Sequence, residues 1–146
     1  MGRRIAVIGA GPAGLMAAEV LSRHDYEVHV YEQKPSAARK FLMAGKTGLN
    51  ISHAEPAAQF IQRYDQADWL APWVKQWDAA WIQNWMKGLG IDSYIGSSGR
   101  IFPIEMKAAP LLRAWLKRLA EGGVKFHYRH QVLQVQPQAV QFKDLL

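Results

Sequence analysis

At 146 residues, 49% of them apolar and none of them cysteine, the chain can bury one hydrophobic core but can form no disulfide, thiolate metal site or iron–sulfur cluster. Its formal charge of +6 is uneven, with eight Lys/Arg against seven Asp/Glu up to Trp73 and ten against five from Val74 onward. That excess is too thin for a nucleic-acid-binding arm and reads as solvated helix faces. Any redox chemistry must come from a bound cofactor, and the expected partner is a small molecule, not a nucleic acid or a membrane.

Arg3 and Arg4 before an apolar run imitate a secretory signal, but Gly9, Gly11, Pro12 and Gly14 would break its helix. No other run approaches membrane-spanning length, and the chain reads as cytoplasmic. Ile5-Ala6-Val7-Ile8 has the pattern of a short buried strand, and Leu15, Ala18, Val20 and Leu21 recur as the apolar face of a helix. Between them Gly9-Ala10-Gly11-Pro12-Ala13-Gly14 is a complete G-x-G-x-x-G in the strand-to-helix context that gives it meaning. Gly9 permits the tight turn, Gly11 lets a pyrophosphate approach the backbone, and Gly14 lets helix and strand pack closely. Pro12 suits a first helical turn, whose free N–H groups and positive dipole end face the phosphates.

Val28-His29-Val30-Tyr31 predicts the second strand of a βαβ unit, ending on Glu32, eighteen residues beyond Gly14. A carboxylate at that offset accepts hydrogen bonds from a ribose diol and repels a 2′-phosphate, which disfavours NADP. NAD and FAD present the same ADP half to such a turn, so both stay open on the fingerprint alone. The stretch from Gln33 to His53 favours FAD: it reads as a long connection rich in Lys, Arg, Gly and Ser, where a NAD module would lead shortly into another helix. Within it Gly45-Lys46-Thr47 has the look of a P-loop tail. The glycine a P-loop needs five positions earlier is Lys40, and Gly48-Leu49-Asn50-Ile51 starts a helix poorly.

Trp69, Trp73, Trp77, Trp81 and Trp85 recur every four residues, which predicts a helical insertion over about 55–90 whose rings sweep a broad, largely covered arc. Lys75 and Lys87 are too few to make that arc a base-stacking platform. Leu112, Trp115, Leu116 and Leu119 form one face of a further helix that Gly122-Gly123 stops. Val124–Tyr128, Val132–Val135 and Ala139–Phe142 alternate as strands, with Pro137 in the last turn. His127 and His130, three apart on an extended segment, are expected on opposite faces, so no metal site is expected.

At "GAGPAGLMAA", "ARKFLMAGKTGLNIS" and "GRIFPIEMKAAPLLRAWL" the chain resembles the BaiN-like, or aminoacetone-oxidase-like, FAD-dependent oxidoreductases from Arg4 to about Val135. The resemblance implies an α/β, Rossmann-like FAD-binding domain of glutathione-reductase type, with NAD(P)H as a candidate electron donor in the complete enzyme. It places Gly9, Gly11, Pro12, Ala13 and Gly14 at the pyrophosphate, Glu32 at the adenosine ribose and Val132 at the adenine, and the adjoining Gln33 is a further candidate cofactor-binding residue. It matches Arg39, Lys40 and Asn50 to the family's flavin-side loop, which includes Lys46 and Thr47, and Arg100 to a Gly-Arg-x-Phe-Pro turn near the flavin. Where commoner members carry Arg-Cys before the asparagine, this chain has Gly48-Leu49, so no role can rest on that cysteine. Relatives continue with a substrate domain and a C-terminal return strand, so the sequence is expected to be the N-terminal part of such a domain.

Overall fold

The computed structural model describes residues 3–143. In chain order the elements are β1 (Arg3–Ile8), α1 (Pro12–Leu21), β2 (Tyr26–Glu32), α2 (Arg39–Ala44), β3 (Ser52–His53), α3 (Ala57–Ile61), α4 (Ala67–Gln76), α5 (Ala79–Gly88), β4 (Ser93–Ile95), β5 (Arg100–Pro103), α6 (Ala108–Glu121), β6 (Lys125–Tyr128), β7 (Val132–Gln136) and β8 (Ala139–Phe142). They fall into two compact units, one made of the chain up to Met43 together with Trp115 onward, the other of Ala44–Ala114.

The first unit is Rossmann-like. Its parallel sheet has the order β1-β2-β6, with Ile5 beside Val28, Val7 beside Val30 and Val30 beside Phe126. Side chains alternate along β2, so Val28 and Val30 are buried while Glu27, His29 and Tyr31 line the other face. The helix α1 returns the chain from β1 to β2 and contributes Leu15 and Ala18, both fully buried. Burying Leu15 alone is worth about 2 kcal/mol. A two-stranded antiparallel hairpin, β7–β8, follows β6.

The buried face of α1 differs from the one its spacing predicts. Val20 is 50% exposed, and Glu19 takes the inward position at 3%. A carboxylate is tolerated there because donors meet it: Trp115 Nε1 at 2.7 Å, Arg118 at 2.9 and 3.0 Å, and Arg23 at 2.7 Å. These bonds tie α1 to the C-terminal half of α6, whose Trp115 and Leu119 are themselves buried. The face predicted for α6 holds, with Leu112, Trp115 and Leu119 buried and Leu116 half-buried.

The second unit joins a small antiparallel sheet, β3-β5-β4, to the helices α3, α4 and α5. Strands β4 and β5 are linked through Gly96–Gly99, where the Gly99 N–H donates to the Gly96 carbonyl at 2.9 Å. The tryptophans do not share one helix. At Trp77 the backbone leaves the helical region (φ −118°, ψ 62°), and the Asp78 side chain accepts the Trp81 N–H at 2.9 Å to cap a new helix. The rings are not largely covered either, since Trp69, Trp73 and Trp77 are 69%, 48% and 46% exposed. The break between Trp77 and the Asp78 cap divides the repeat between two helices, and the rings stack in separate pairs, Trp73 on Trp77 and Trp81 on Trp85. Among the described residues no helix is long and apolar enough to cross a membrane.

Candidate functional site

The chain turns sharply between β1 and α1. Gly9 sits at φ 94°, a conformation open chiefly to glycine, and its N–H donates to the Tyr31 carbonyl at 2.7 Å. A Cβ on Gly14 would stand 1.9 Å from the Gly9 carbonyl oxygen, so only glycine lets the helix start this close to the strand. Gly11 caps α1 in an extended conformation, and a Cβ there would meet nothing within 4 Å. Pro12 occupies the first helical turn and, with Ala13, is exposed. The start of α1 therefore adjoins open space, with the helix dipole behind it.

Glu32 braces this turn. One carboxylate oxygen accepts the Ala10 N–H at 2.9 Å and the other the Lys34 N–H at 2.8 Å. Each oxygen keeps a further lone pair for a hydroxyl. Beside it lies a cavity of about 200 Å³ lined by Ile8, Gly9, Tyr31, Glu32, Gln33, His130, Gln131 and Val132. Gly9, Glu32, Gln33 and Val132, far apart in sequence, thus meet at one hollow. On the neighbouring strand Tyr128 has its phenol pushed up by burial and, secondarily, by the Glu32 charge.

The basic pair approaches the same turn through the backbone. The Ala38 N–H donates to the Ala10 carbonyl at 2.8 Å, and α2 begins at the next residue. Ala38 is buried at φ 50°, an unusual conformation for a residue with a Cβ, held here by that bond. Arg39 and Lys40 are exposed, and Arg39 donates to Ser36 Oγ at 3.3 Å. The stretch from Gln33 to His53 is therefore not one long loop, because α2, built from Arg39-Lys40-Phe41-Leu42-Met43-Ala44, interrupts it. Good helix formers in that run outweigh the glycines that follow.

Lys46, Thr47, Asn50 and Arg100 all lie in the second unit and are exposed. Gly45-Lys46-Thr47 follows a helix and leads into extended chain, the reverse of a P-loop. A Cβ on Gly45 would stand 2.5 Å from Ala108 Cβ, so this glycine serves packing. Gly99 has φ 78° and room for no Cβ beside the His53 ring. Arg100-Ile101-Phe102-Pro103 is strand β5 and not a turn.

The opposite-face expectation for His127 and His130 fails. Arg129 adopts φ 62° between them and swings the rings together, edge to face at 5.6 Å. His127 also meets His29 across the sheet at 2.8 Å, and burial, followed by the neighbouring His29, His130 and Lys125, holds its pKa below the ordinary histidine value. Among the described residues no group of three His, Cys, Asp or Glu could hold a metal.

The model of the HI0933-like protein Rossmann domain matches residues 3–145. The chain belongs to that family. Its members are FAD-binding oxidoreductases. Among solved structures the chain is similar to THI4 of Thermovibrio ammonificans, with a TM-score of 0.54 and 16% identity over 97% of this chain and 45% of that one. It is also similar to 3-ketosteroid-Δ4-(5α)-dehydrogenase of Rhodococcus jostii RHA1, with a TM-score of 0.61 and 14% identity over 89% and 38%. At such identities these likenesses show the fold, and the chain spans less than half the length of either protein. Among curated proteins, the small chain of NADPH glutamate synthase of Azospirillum brasilense is 61% identical over 33 residues, 23% of this chain and 7% of that protein.

The residues around the turn fit the ADP half of FAD: an open helix start, a glycine whose missing Cβ leaves room, and a carboxylate already held beside a hollow. Ala38 and His130 belong to this neighbourhood but carry no motif. Only the positive φ of Ala38, a backbone property, and the reversal at Arg129 bring them in.

Proposed function

We propose that this chain holds the adenosine and pyrophosphate of FAD in an oxidoreductase of BaiN-like, or aminoacetone-oxidase-like, type. The whole enzyme would act on a small organic substrate in the cytoplasm, with NAD(P)H as electron donor and no nucleic-acid or membrane partner. One observation carries the reading: the Cβ position of Gly11 is open at the start of α1, beside a Glu32 carboxylate fixed by two backbone N–H groups.

FAD, when bound, supplies two-electron transfer that no side chain of this cysteine-free chain provides. The chain's own part is to bind and orient. The first-turn N–H groups of α1 and the helix dipole offset the pyrophosphate charge, assisted by Arg39 and Lys40. Glu32 accepts from ribose hydroxyls and disfavours a 2′-phosphate. Val132, at the rim of the cavity, offers backbone to the adenine. Roles for Lys46, Thr47, Asn50 and Arg100 on the flavin side rest on the resemblance.

Titration of the chain with FAD and with NAD, followed by flavin fluorescence and by calorimetry, tests this. FAD should bind, and Gly11→Ala should weaken it at least tenfold with the thermal midpoint kept, because the added methyl stands where the phosphate must approach. A chain that binds NAD and not FAD would be a NAD-only module. Equal FAD affinity in Gly11→Ala and the parent would remove the cofactor from this turn.

A further inference from the structure

We infer that His130 reads the nucleoside of the bound nucleotide, its imidazole Nε2 accepting a hydrogen bond from the ligand. This deepens the preceding proposal and rests on its reading of the cavity beside Glu32 as the adenosine site. Three observations carry it.

The first is the tautomer. His130 Nδ1 lies 2.7 Å from the Tyr128 carbonyl oxygen, which can only accept, so Nδ1 carries the proton and in the neutral ring Nε2 keeps its lone pair. Nε2 has no protein partner among the described residues. The second is rigidity. The His130 N–H donates to the Glu32 carbonyl at 2.9 Å, and the ring packs 5.5 Å from Phe142, 5.6 Å from His127 and 5.9 Å from Tyr31. The third is place, since His130 and Glu32 line the same cavity of about 200 Å³.

The residues lining the cavity therefore carry two kinds of acceptor, the Glu32 carboxylate and, on our inference, the His130 imidazole nitrogen. Their complement is a ligand rich in donors, such as ribose hydroxyls and the exocyclic amino group of adenine. A group presenting only acceptors at Nε2 would leave that lone pair facing another, which a desolvated site rejects.

ADP titrated into the full chain and three variants tests the assignment. Gln places its amide oxygen where Nε2 stands, whereas Asn imitates only the Nδ1 donor to Tyr128 and Phe keeps only the ring contacts. His130→Gln should bind ADP within about threefold of the parent, and His130→Asn and His130→Phe should lose about five- to tenfold. Repeating the Phe comparison with 2′-deoxy-ADP, 3′-deoxy-ADP and inosine diphosphate identifies the group read, because the loss should vanish for the one ligand lacking that donor. Nitrogen-15 spectra should show His130 with Nδ1 protonated and the Nε2 signal moving on addition of ADP.

A Phe variant that binds like the parent overturns the inference. So does an Asn variant as good as Gln, or a loss equal for all four ligands. Failure of the site reading looks different: the parent would not bind ADP, or Gly11→Ala would bind it unchanged, whatever the His130 variants did.

Discussion

Two glycine-rich stretches of this chain have the look of phosphate grips, and only Gly9–Gly14 has the architecture. There a strand leads in, a helix leads out, and the three glycines do separate things: Gly9 bends at φ 94°, Gly11 leaves space, and Gly14 admits a carbonyl 1.9 Å from where its Cβ would be. At Gly45–Asn50 a helix leads in and extended chain leads out, and the space a Cβ would need at Gly45 is filled by Ala108. The lesson is that a glycine's role is read from what stands in place of its side chain: protein signals packing, and open space beside helix N–H groups signals a ligand.

The largest expected effect sharpens that contrast. Gly14→Ala must displace backbone, because a carbonyl oxygen cannot rotate away as a side chain can, so it should cost about 3 kcal/mol or more in a denaturant titration. Gly45→Ala meets another methyl at 2.5 Å and the Ala108 backbone N at 3.1 Å, and should cost about 1–3 kcal/mol without touching nucleotide affinity beyond its effect on folding. If Gly14→Ala were neutral, the close approach of α1 to β1 would be wrong. If Gly45→Ala selectively removed nucleotide binding, the second stretch would be a ligand loop after all.

Next comes the brace behind the grip. Glu19→Ala leaves the Trp115 indole and the Arg118 guanidinium facing a buried gap in place of a carboxylate. Breaking a buried charged network from one side costs about 3–5 kcal/mol, and the low end applies because Arg23 and Arg118 are partly exposed. Glu19→Gln, which keeps shape and one acceptor, should recover part of that. Thermal or urea unfolding measures both, and a loss below about 1 kcal/mol for Ala would show that the network contributes little net stability.

How much of this was legible beforehand divides along the same line. The strand-helix-strand order, the place of Glu32 at the end of β2 and the apolar face of α6 were readable because period and spacing are local properties of a sequence, whereas β1, expected buried, leaves Ile8 48% exposed. The buried Glu19 was not, since Trp115 and Arg118, which meet it, lie 96 and 99 residues away and a Glu–Arg pair four apart on a helix, as with Arg23, reads as surface. Nor was the split of the tryptophan helix. A four-residue repeat says nothing about Asp78 capping a new helix, although Asp three residues before Trp81 is a capping position in hindsight. The pairing of His127 with His130 was hidden by one residue, Arg129, whose positive φ turns opposite faces into one.

A smaller effect separates the two faces of the β1-β2-β6 sheet. Burial, with His29 at 2.8 Å and His130 and Lys125 nearby, lowers the His127 pKa in the folded state. Below about pH 6.5 the unfolded chain takes up a proton that the folded chain resists, so stability should fall as pH drops through that region and be insensitive to His127 above it. Glu27, whose pKa is lowered mainly by its hydrogen bond from Lys125, adds a loss at more acid pH, within the carboxylate range. His127→Phe should flatten the slope just below pH 6.5 in stability measured against pH. An unchanged slope would mean that another group sets it.

The smallest expected effect falls on Lys46, the residue that gives the second stretch its P-loop appearance. Its side chain is exposed, and among the described residues it has no hydrogen-bond or ion-pair partner. Removing such a group changes stability by no more than about 0.5 kcal/mol. In a triphosphatase the same lysine would reach the terminal phosphates from a loop whose backbone wraps them, and its loss would abolish nucleoside triphosphate binding. Here the position of the glycine that would close that wrap is held by Lys40, whose side chain stands in the first turn of α2 where a P-loop needs a bare backbone, and no strand leads into it. Lys46→Ala and the parent should therefore show the same stability and the same lack of magnesium-dependent ATP or GTP binding at Gly45–Asn50 by calorimetry. Tight triphosphate binding in the parent that disappears in Lys46→Ala would break the comparison between the two stretches at its root, because the loop would then grip phosphate with a helix leading into it.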